Sequence, residues 1–368
     1  MKTLIMNILY IAIYILIDVI SSYSFAASSP IIQQQDIFNQ TNLKSPWGTE
    51  YFCFRVPSVV QSLKTGTILA FVESRISSCH DQAPKDITMR RSTDNGKTWS
   101  ILNLIVGPKK HKINQLDFSS RNPYAVIDEG TIILQWVDST NSSHCINYMQ
   151  KSMDDGLTWS KAEIVELGNT FEGTLLGPGN GIVLGRHSAS VGAGRIIICG
   201  ASGYVGGMKM YASIWYSDDH GKTFQMSRGA APFYHMEECQ IAELDNGTVI
   251  INMRNHLQKY RAISISLDDG ETFLPHWYDY ELPDPTCSAG LINMNGTLYF
   301  SNNPTTSKRM NMTLKKSING GETWEKIVQL YNGPSGYSVV TPVSTNEVGV
   351  VYEKDGSKSI VFATVRVG

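Results

Sequence analysis

The chain lacks an excess of charge of either sign: 31 lysines and arginines stand against 33 aspartates and glutamates, a formal net charge of -2. A nucleic acid or an anionic membrane calls for a clustered basic field, so neither is expected as a partner. Charged residues are scarce altogether at 17%, while apolar residues reach 42%, and that balance excludes an extended disordered protein. The six cysteines, at 53, 79, 145, 199, 239 and 287, are too widely spaced for the CxxC pairs of a structural zinc site. No metal is expected, and the disulfide connectivity of six cysteines stays open. An uninterrupted apolar run of about 20 residues, enough to span a membrane, is also missing. The N-terminal run is broken by Asn7 and Asp18.

That N-terminal stretch, MKTLIMNILYIAIYILIDVISSYSFA, has one early lysine, an apolar centre and a small-x-small ending at Ser24-Phe25-Ala26. It reads as a secretory signal peptide over 1–26, followed by a polar linker over 27–45. Sequons at Asn39, Asn141, Asn246, Asn295 and Asn311 point the same way. The expectation is a secreted or lumenal protein, with a membrane anchor the less favoured case. The 31 glycines and 14 prolines make the remaining chain turn-rich without low complexity.

An internal repeat sets the architecture. The pattern S-x-D-x-G-x-T-W recurs as STDNGKTW from Ser92 and SMDDGLTW from Ser152. It returns as SDDHGKTF from Ser217, SLDDGETF from Ser266 and SINGGETW from Ser317, where Asn319 replaces the aspartate. Between these boxes, six glycine-led apolar runs begin at Gly66, Gly130, Gly194, Gly247, Gly296 and Gly349. Each period therefore holds one strand and one tight turn. The aspartate accepts bonds from nearby amides, the glycine takes positive φ, and the aromatic packs the turn onto the sheet. Six runs from 66 to 349 give a spacing of about 57 residues, a four-stranded blade with its loops. The predicted fold is all-β, a six-bladed β-propeller over 46–368. The last blade, begun at Gly349, runs short of strands before Gly368, so the segment before Gly66 should complete it and bring Arg55 beside the C-terminal strands.

Three arginines at strand ends in different blades, Arg55 in FRVP, Arg254 closing GTVIINMR and Arg309 after SNNPTTSK, could converge on one carboxylate through charge-assisted bonds. With the repeats, the segments FRVP, EECQIAELDNGTVIINMR, DPTCSAGLI and GPSGYS resemble the secreted exo-α-sialidases (neuraminidases) of the bacterial and animal type. The recurrent turn is similar to that family's Asp box. The resemblance runs from about Trp47 to Glu353. It implies that Arg55, Arg254 and Arg309 bind the carboxylate of sialic acid, and that Tyr337 is the nucleophile with Glu238, rather than the adjacent Glu237, as its base. It also implies that Asp81 is the acid/base on a loop, that Arg75 is a secondary substrate contact, and that Glu353 supports Arg55. Asp86 reads as a residue that positions its strand. A tyrosine suits an anomeric carbon that already bears a carboxylate, because a neutral phenol approaches without like-charge repulsion. Its pKa near 10 then requires a neighbouring carboxylate to take the proton. The implied activity is retaining hydrolysis of terminal sialic acid from glycoproteins, glycolipids or oligosaccharides, with no cofactor and no metal. Alternatives are a trans-sialidase, for which Trp277 and Tyr278 could form an acceptor platform, and a non-catalytic sialic-acid-binding propeller.

Overall fold

The structure, a computed structural model, describes residues 29–39, 45, 48–107, 119–141, 144–167, 173–185, 194–203 and 211–368. The expected signal peptide lies outside them. Residues Ile31–Gly368 form one compact unit.

Each of the six glycine-led runs enters a different sheet, as Ile68–Arg75, Thr131–Asn141, Ile196–Ser202, Val249–Asn255, Thr297–Asn302 and Glu347–Lys354. Five of them lie second from one edge of the main strand path and Thr131–Asn141 lies at the centre of its own, so each is paired on both edges. That position explains the β-branched content, since a strand paired on both sides and packed on both faces favours such side chains. Four of the sheets are four-stranded and antiparallel. The second and third have five and seven strands, because short strands cross between neighbours, and Arg228–Gly229 pairs separately with Thr272–Phe273. The arrangement is an all-β propeller. Its core is a series of apolar layers between successive sheets, such as Leu69, Met89, Ala125, Ile132 and Trp136 between the first and the second.

The boxes are the turns leaving each third strand. In the first, Thr98 donates from its amide and hydroxyl to Asp94 at 2.9 and 2.6 Å, and the Gly96 amide donates to Ser92 Oγ at 2.8 Å. The two Thr98 bonds are the largest cause of an Asp94 carboxyl held down at about 2. Gly96 has φ 82°, and a Cβ there would fall 2.1 Å from the Phe362 ring of the last sheet. Gly156 of the second box similarly abuts Leu69 of the first sheet. Conformation and space both demand glycine, and the boxes double as spacers between sheets. In the fifth box Asn319 keeps the pattern, accepting from the Thr323 amide at 3.1 Å and donating to its hydroxyl at 2.9 Å.

The stretch expected as a linker over 27–45 is not one throughout. Ile31–Asn39 is a strand, antiparallel on Ser359–Arg366, and completes the sheet of Glu347–Lys354 and Ser335–Ser344. Ile37 and Phe38 anchor it, while Gln33 and Gln35 donate to the first Asp box. The completion of the last sheet by an N-terminal segment is thus observed, through residues earlier than the propeller boundary expected at 46.

Candidate active site

Catalytic candidates gather at the starts of three innermost strands, Cys53–Gln61, Met236–Glu243 and Ser335–Ser344, and at the ends of the strands paired to them. The Asp boxes occupy the opposite ends. All three inner strands break register at the candidates: between Arg55 and Ser58, between Met236 and Cys239, and between Ser335 and Ser338. Bulges re-aim side chains that strict alternation would send into the neighbouring layers. Val56, at φ 56°, marks the first bulge, and Pro57 fits it because the ladder is already interrupted there.

The second and third bulges bring Glu238 and Tyr337 into contact. The Tyr337 hydroxyl donates to Glu238 Oε1 at 2.5 Å, and Arg254 Nη1 donates to Glu238 Oε2 at 2.7 Å and to the Tyr337 oxygen at 3.0 Å. Burial first, and then the neighbouring Glu237 charge, push the Glu238 carboxyl above its usual range. Burial and the Glu238 charge push the Tyr337 phenol far above its own. The proton therefore rests on tyrosine beside a carboxylate poised to take it. Arg55 and Arg309 flank the same ring, with guanidinium carbons 5.2 and 5.6 Å from its centroid. The structure thus brings all three predicted arginines around Tyr337.

Each arginine is held from behind. Glu353, 2% exposed, accepts from Arg55 Nε at 3.1 Å and Nη2 at 3.3 Å, from the Val56 amide at 2.9 Å and from the Tyr337 amide at 3.2 Å. Its attraction raises the Arg55 pKa above the ordinary arginine range. Gly336 is required here, since a Cβ would fall 2.1 Å from Glu353 Oε2. Arg309 Nη2 donates to the Thr286 carbonyl at 2.6 Å, from the DPTCS turn where Thr286 has φ 59°.

Asp81 sits on the loop between Ile68–Arg75 and Lys85–Ser92, its side chain 69% exposed, 2.9 Å from Arg75 Nη1 and 3.5 Å from Arg55 Nη1. Partial burial raises its carboxyl, but Arg75 and Arg55 outweigh this and hold it below the usual range. Arg75, expected as a substrate contact, is only 2% exposed and is engaged by Glu73, by the Cys79 carbonyl and by Asp81. Its guanidinium bonds the loop and holds Asp81 in place. Asp86, expected to position its strand, is the second residue of Lys85–Ser92. It is buried, accepts from the Tyr51 hydroxyl at 2.6 Å, and is pushed up to about 6 by burial.

Disulfides join Cys53 to Cys79 and Cys199 to Cys239, leaving Cys145 and Cys287 free. Each bond lies within two residues of a candidate, Arg55 and Asp81 in one case and Glu238 in the other. Sequence reasoning left this connectivity open because only the fold brings these cysteines together.

Comparison with known proteins agrees with this geometry. A model described as a BNR repeat-like domain matches residues 66–350, well over half of the chain. The chain belongs to the BNR repeat-like family. The chain is 30% identical over 336 residues to a sialidase of Bacteroides fragilis, covering 82% of this chain and 60% of that protein. To an exo-alpha-sialidase of Arthroderma benhamiae it is 27% identical, covering 87% and 83%. The solved Hadza microbial sialidase Hz136 superposes with a TM-score of 0.74 at 28% identity, covering 86% of this chain and 66% of that one. The chain thus spans about three fifths of the length of the Bacteroides relative.

Proposed function

We propose that this BNR-repeat protein is a retaining exo-α-sialidase that hydrolyses terminal sialic acid through a covalent tyrosyl intermediate. The observation that carries the reading is the Tyr337–Glu238 contact of 2.5 Å, bridged by Arg254 and flanked by Arg55 and Arg309. A buried phenol bonded to a buried carboxylate has no evident structural need for three guanidinium groups around it. An anionic sugar has that need.

In this mechanism the sugar carboxylate lies against Arg55, Arg254 and Arg309. The Tyr337 oxygen attacks the anomeric carbon as its proton passes to Glu238, and the glycosidic bond breaks as Asp81 protonates the departing oxygen. Water, deprotonated by Asp81, then cleaves the tyrosyl bond while Glu238 returns its proton to the phenolic oxygen. Two inversions give net retention. Arg75 and Arg55 hold Asp81 low. A sugar carboxylate that occupies Arg55 weakens that hold, which favours a protonated Asp81 when substrate is bound.

The sheet order supports six blades, counting one for each glycine-led strand, with Ile31–Asn39 closing the sixth. The proposed domains are a signal peptide over 1–26 and a propeller that begins at Ile31 rather than at 46. Export to an oxidising compartment is supported by the two disulfides and the sequons, and the proposed substrates are sialylated glycoproteins, glycolipids or oligosaccharides. Transfer to a sugar acceptor finds no support in Trp277 and Tyr278. They line a cavity shared with Asn319 and Glu322 of the fifth Asp box, at the end opposite Tyr337. Incubation with a fluorogenic aryl α-sialoside tests the reading: release of fluorophore supports it, and binding of sialic acid without release would leave a lectin.

A further inference from the structure

Glu237 and Glu238 are neighbours in a strand and would ordinarily point to opposite faces. The bulge between Met236 and Cys239 cancels that alternation, and both carboxylates reach one guanidinium. Glu238 Oε2 lies 2.7 Å from Arg254 Nη1, and Glu237 Oε1 lies 2.8 Å from Arg254 Nε, an ion-pair contact rather than an aligned hydrogen bond. The two contacts fall on different edges of a planar group, so together they fix both its position and its rotation. Glu238 alone would leave it free to swing about a single contact.

Two adjacent carboxylates repel, and Glu237 has a further partner of its own. His256 Nε2 sits 2.5 Å from Glu237 Oε1, and the His256 amide donates to the His235 carbonyl at 3.0 Å, which ties the loop after Arg254 back to the start of the bulged strand. Arg309 also acts on Glu237 through space. Burial would raise the Glu237 carboxyl, but the His256 bond and the Arg254 charge hold it below its usual range, so it stays anionic while Glu238 is pushed up. The roles of the two glutamates separate: one takes the tyrosine proton, and the other keeps a permanent charge against arginine. The side chain of Glu237 is 9% exposed and that of His256 41% exposed, so the pair reaches from the buried guanidinium to the site's rim.

We infer that Glu237, bonded in turn by His256, is a positioning residue that holds Arg254 in the orientation needed to grip the substrate carboxylate. The inference rests on the reading that Arg254 binds that carboxylate. It assigns to Glu237 and His256 a part in affinity for an anionic sugar, with no contact to the sugar.

The test is a double-mutant cycle read by calorimetric binding of 2,3-didehydro-2-deoxy sialic acid, an anionic planar analogue, beside turnover of an aryl sialoside. Glu237→Ala should weaken analogue binding about tenfold, and Glu237→Gln, which keeps an acceptor oxygen for Nε, only about twofold. In an Arg254→Ala background, Glu237→Ala should have no further effect, because the residue acts through that guanidinium. His256→Ala, which leaves both glutamates in place, should weaken binding in the wild-type background and not in Arg254→Ala. Equal losses in both backgrounds, or wild-type affinity in Glu237→Ala, would overturn the inference. If the wild type binds the analogue with the expected cycle but hydrolyses no sialoside, the proposed hydrolysis fails and the positioning role stands. If the wild type does not bind the analogue, both fail.

Discussion

Replacing Glu353 should damage stability and catalysis together, because one carboxylate ties Arg55, the first bulge and the Tyr337 backbone. It is 2% exposed and accepts from two nitrogens of Arg55 and from the Val56 and Tyr337 amides at 2.9 to 3.3 Å. Glu353→Ala leaves a largely buried guanidinium without its partner, a change that costs about 3 to 5 kcal/mol in comparable sites. It also orphans two amides, at about 1 to 3 kcal/mol each if they stay dry. The losses share one relaxation and do not add, and Arg55, 16% exposed, can recruit water. A net destabilisation of about 5 kcal/mol is the expected figure, a large share of an ordinary folding free energy. Glu353→Gln keeps one acceptor oxygen but turns an amide donor toward Arg55, and should cost about half as much. Urea unfolding with unchanged slope measures both values, and kcat/KM taken where each variant is fully folded should fall at least ~100-fold for alanine. Gly336→Ala, which pushes a methyl against Glu353 Oε2, should reproduce a milder version. Glu353→Ala within ~1 kcal/mol of wild type and with wild-type kinetics would show that the carboxylate is not the tie described.

Asp81→Ala should slow alkyl sialosides by about 100-fold or more and activated aryl sialosides far less, since only poor leaving groups need the proton; equal loss on both would remove Asp81 as the acid. Asp86, pushed up to about 6, binds its proton more tightly folded than unfolded, so its contribution to stability is full below about pH 4 and is lost as pH rises through 6. Asp86→Asn should therefore gain about 2 kcal/mol on wild type between those limits, and a pH-independent difference in unfolding free energy would contradict the assignment. The Cys53–Cys79 bond closes a loop of sequence separation 26, and Cys53→Ser with Cys79→Ser should cost about 3 kcal/mol. The same pair should show a steeper leaving-group dependence as the Asp81 loop loosens. Unchanged stability in non-reducing buffer would show that the bond is not formed. Asn319→Asp should leave stability within ~0.5 kcal/mol, because the fifth box already makes the pattern's bonds; a larger change seen by calorimetry would count against that equivalence.

The repeat was legible in the sequence because its signals are local: a glycine, an apolar run and a box whose serine, aspartate and threonine bond within the turn itself. The opening strand was not. Ile31–Asn39 sits at a sheet edge, and Gln33, Gln34 and Gln35 interrupt the apolar alternation that marks half-buried strands. Among the site residues, Arg55, Arg254, Arg309, Tyr337 and Glu238 could be named from motifs, but their convergence depends on closure of the sheets and on three bulges that no periodicity reports. Glu237 shows the limit most clearly. As text it competes with Glu238 for one role, and only the broken register between Met236 and Cys239 shows that both carboxylates meet Arg254. The burial of Arg75 under the Asp81 loop, with its bonds to Glu73 and Asp81, was likewise not legible in a motif.

The measurement that reaches the centre of this account is covalent trapping with a 3-fluoro sialosyl fluoride, followed by peptide mapping by mass spectrometry. The fluorine beside the anomeric carbon slows breakdown of the glycosyl-enzyme, so an intermediate on the phenol should accumulate and be read on the peptide that carries Tyr337. The account predicts one sugar adduct on Tyr337 in the wild type, none in Tyr337→Phe, and slower labelling in Glu238→Gln, which keeps the side chain's shape but not the base. An adduct on another residue, or first release of the inverted anomer with no adduct, would contradict it.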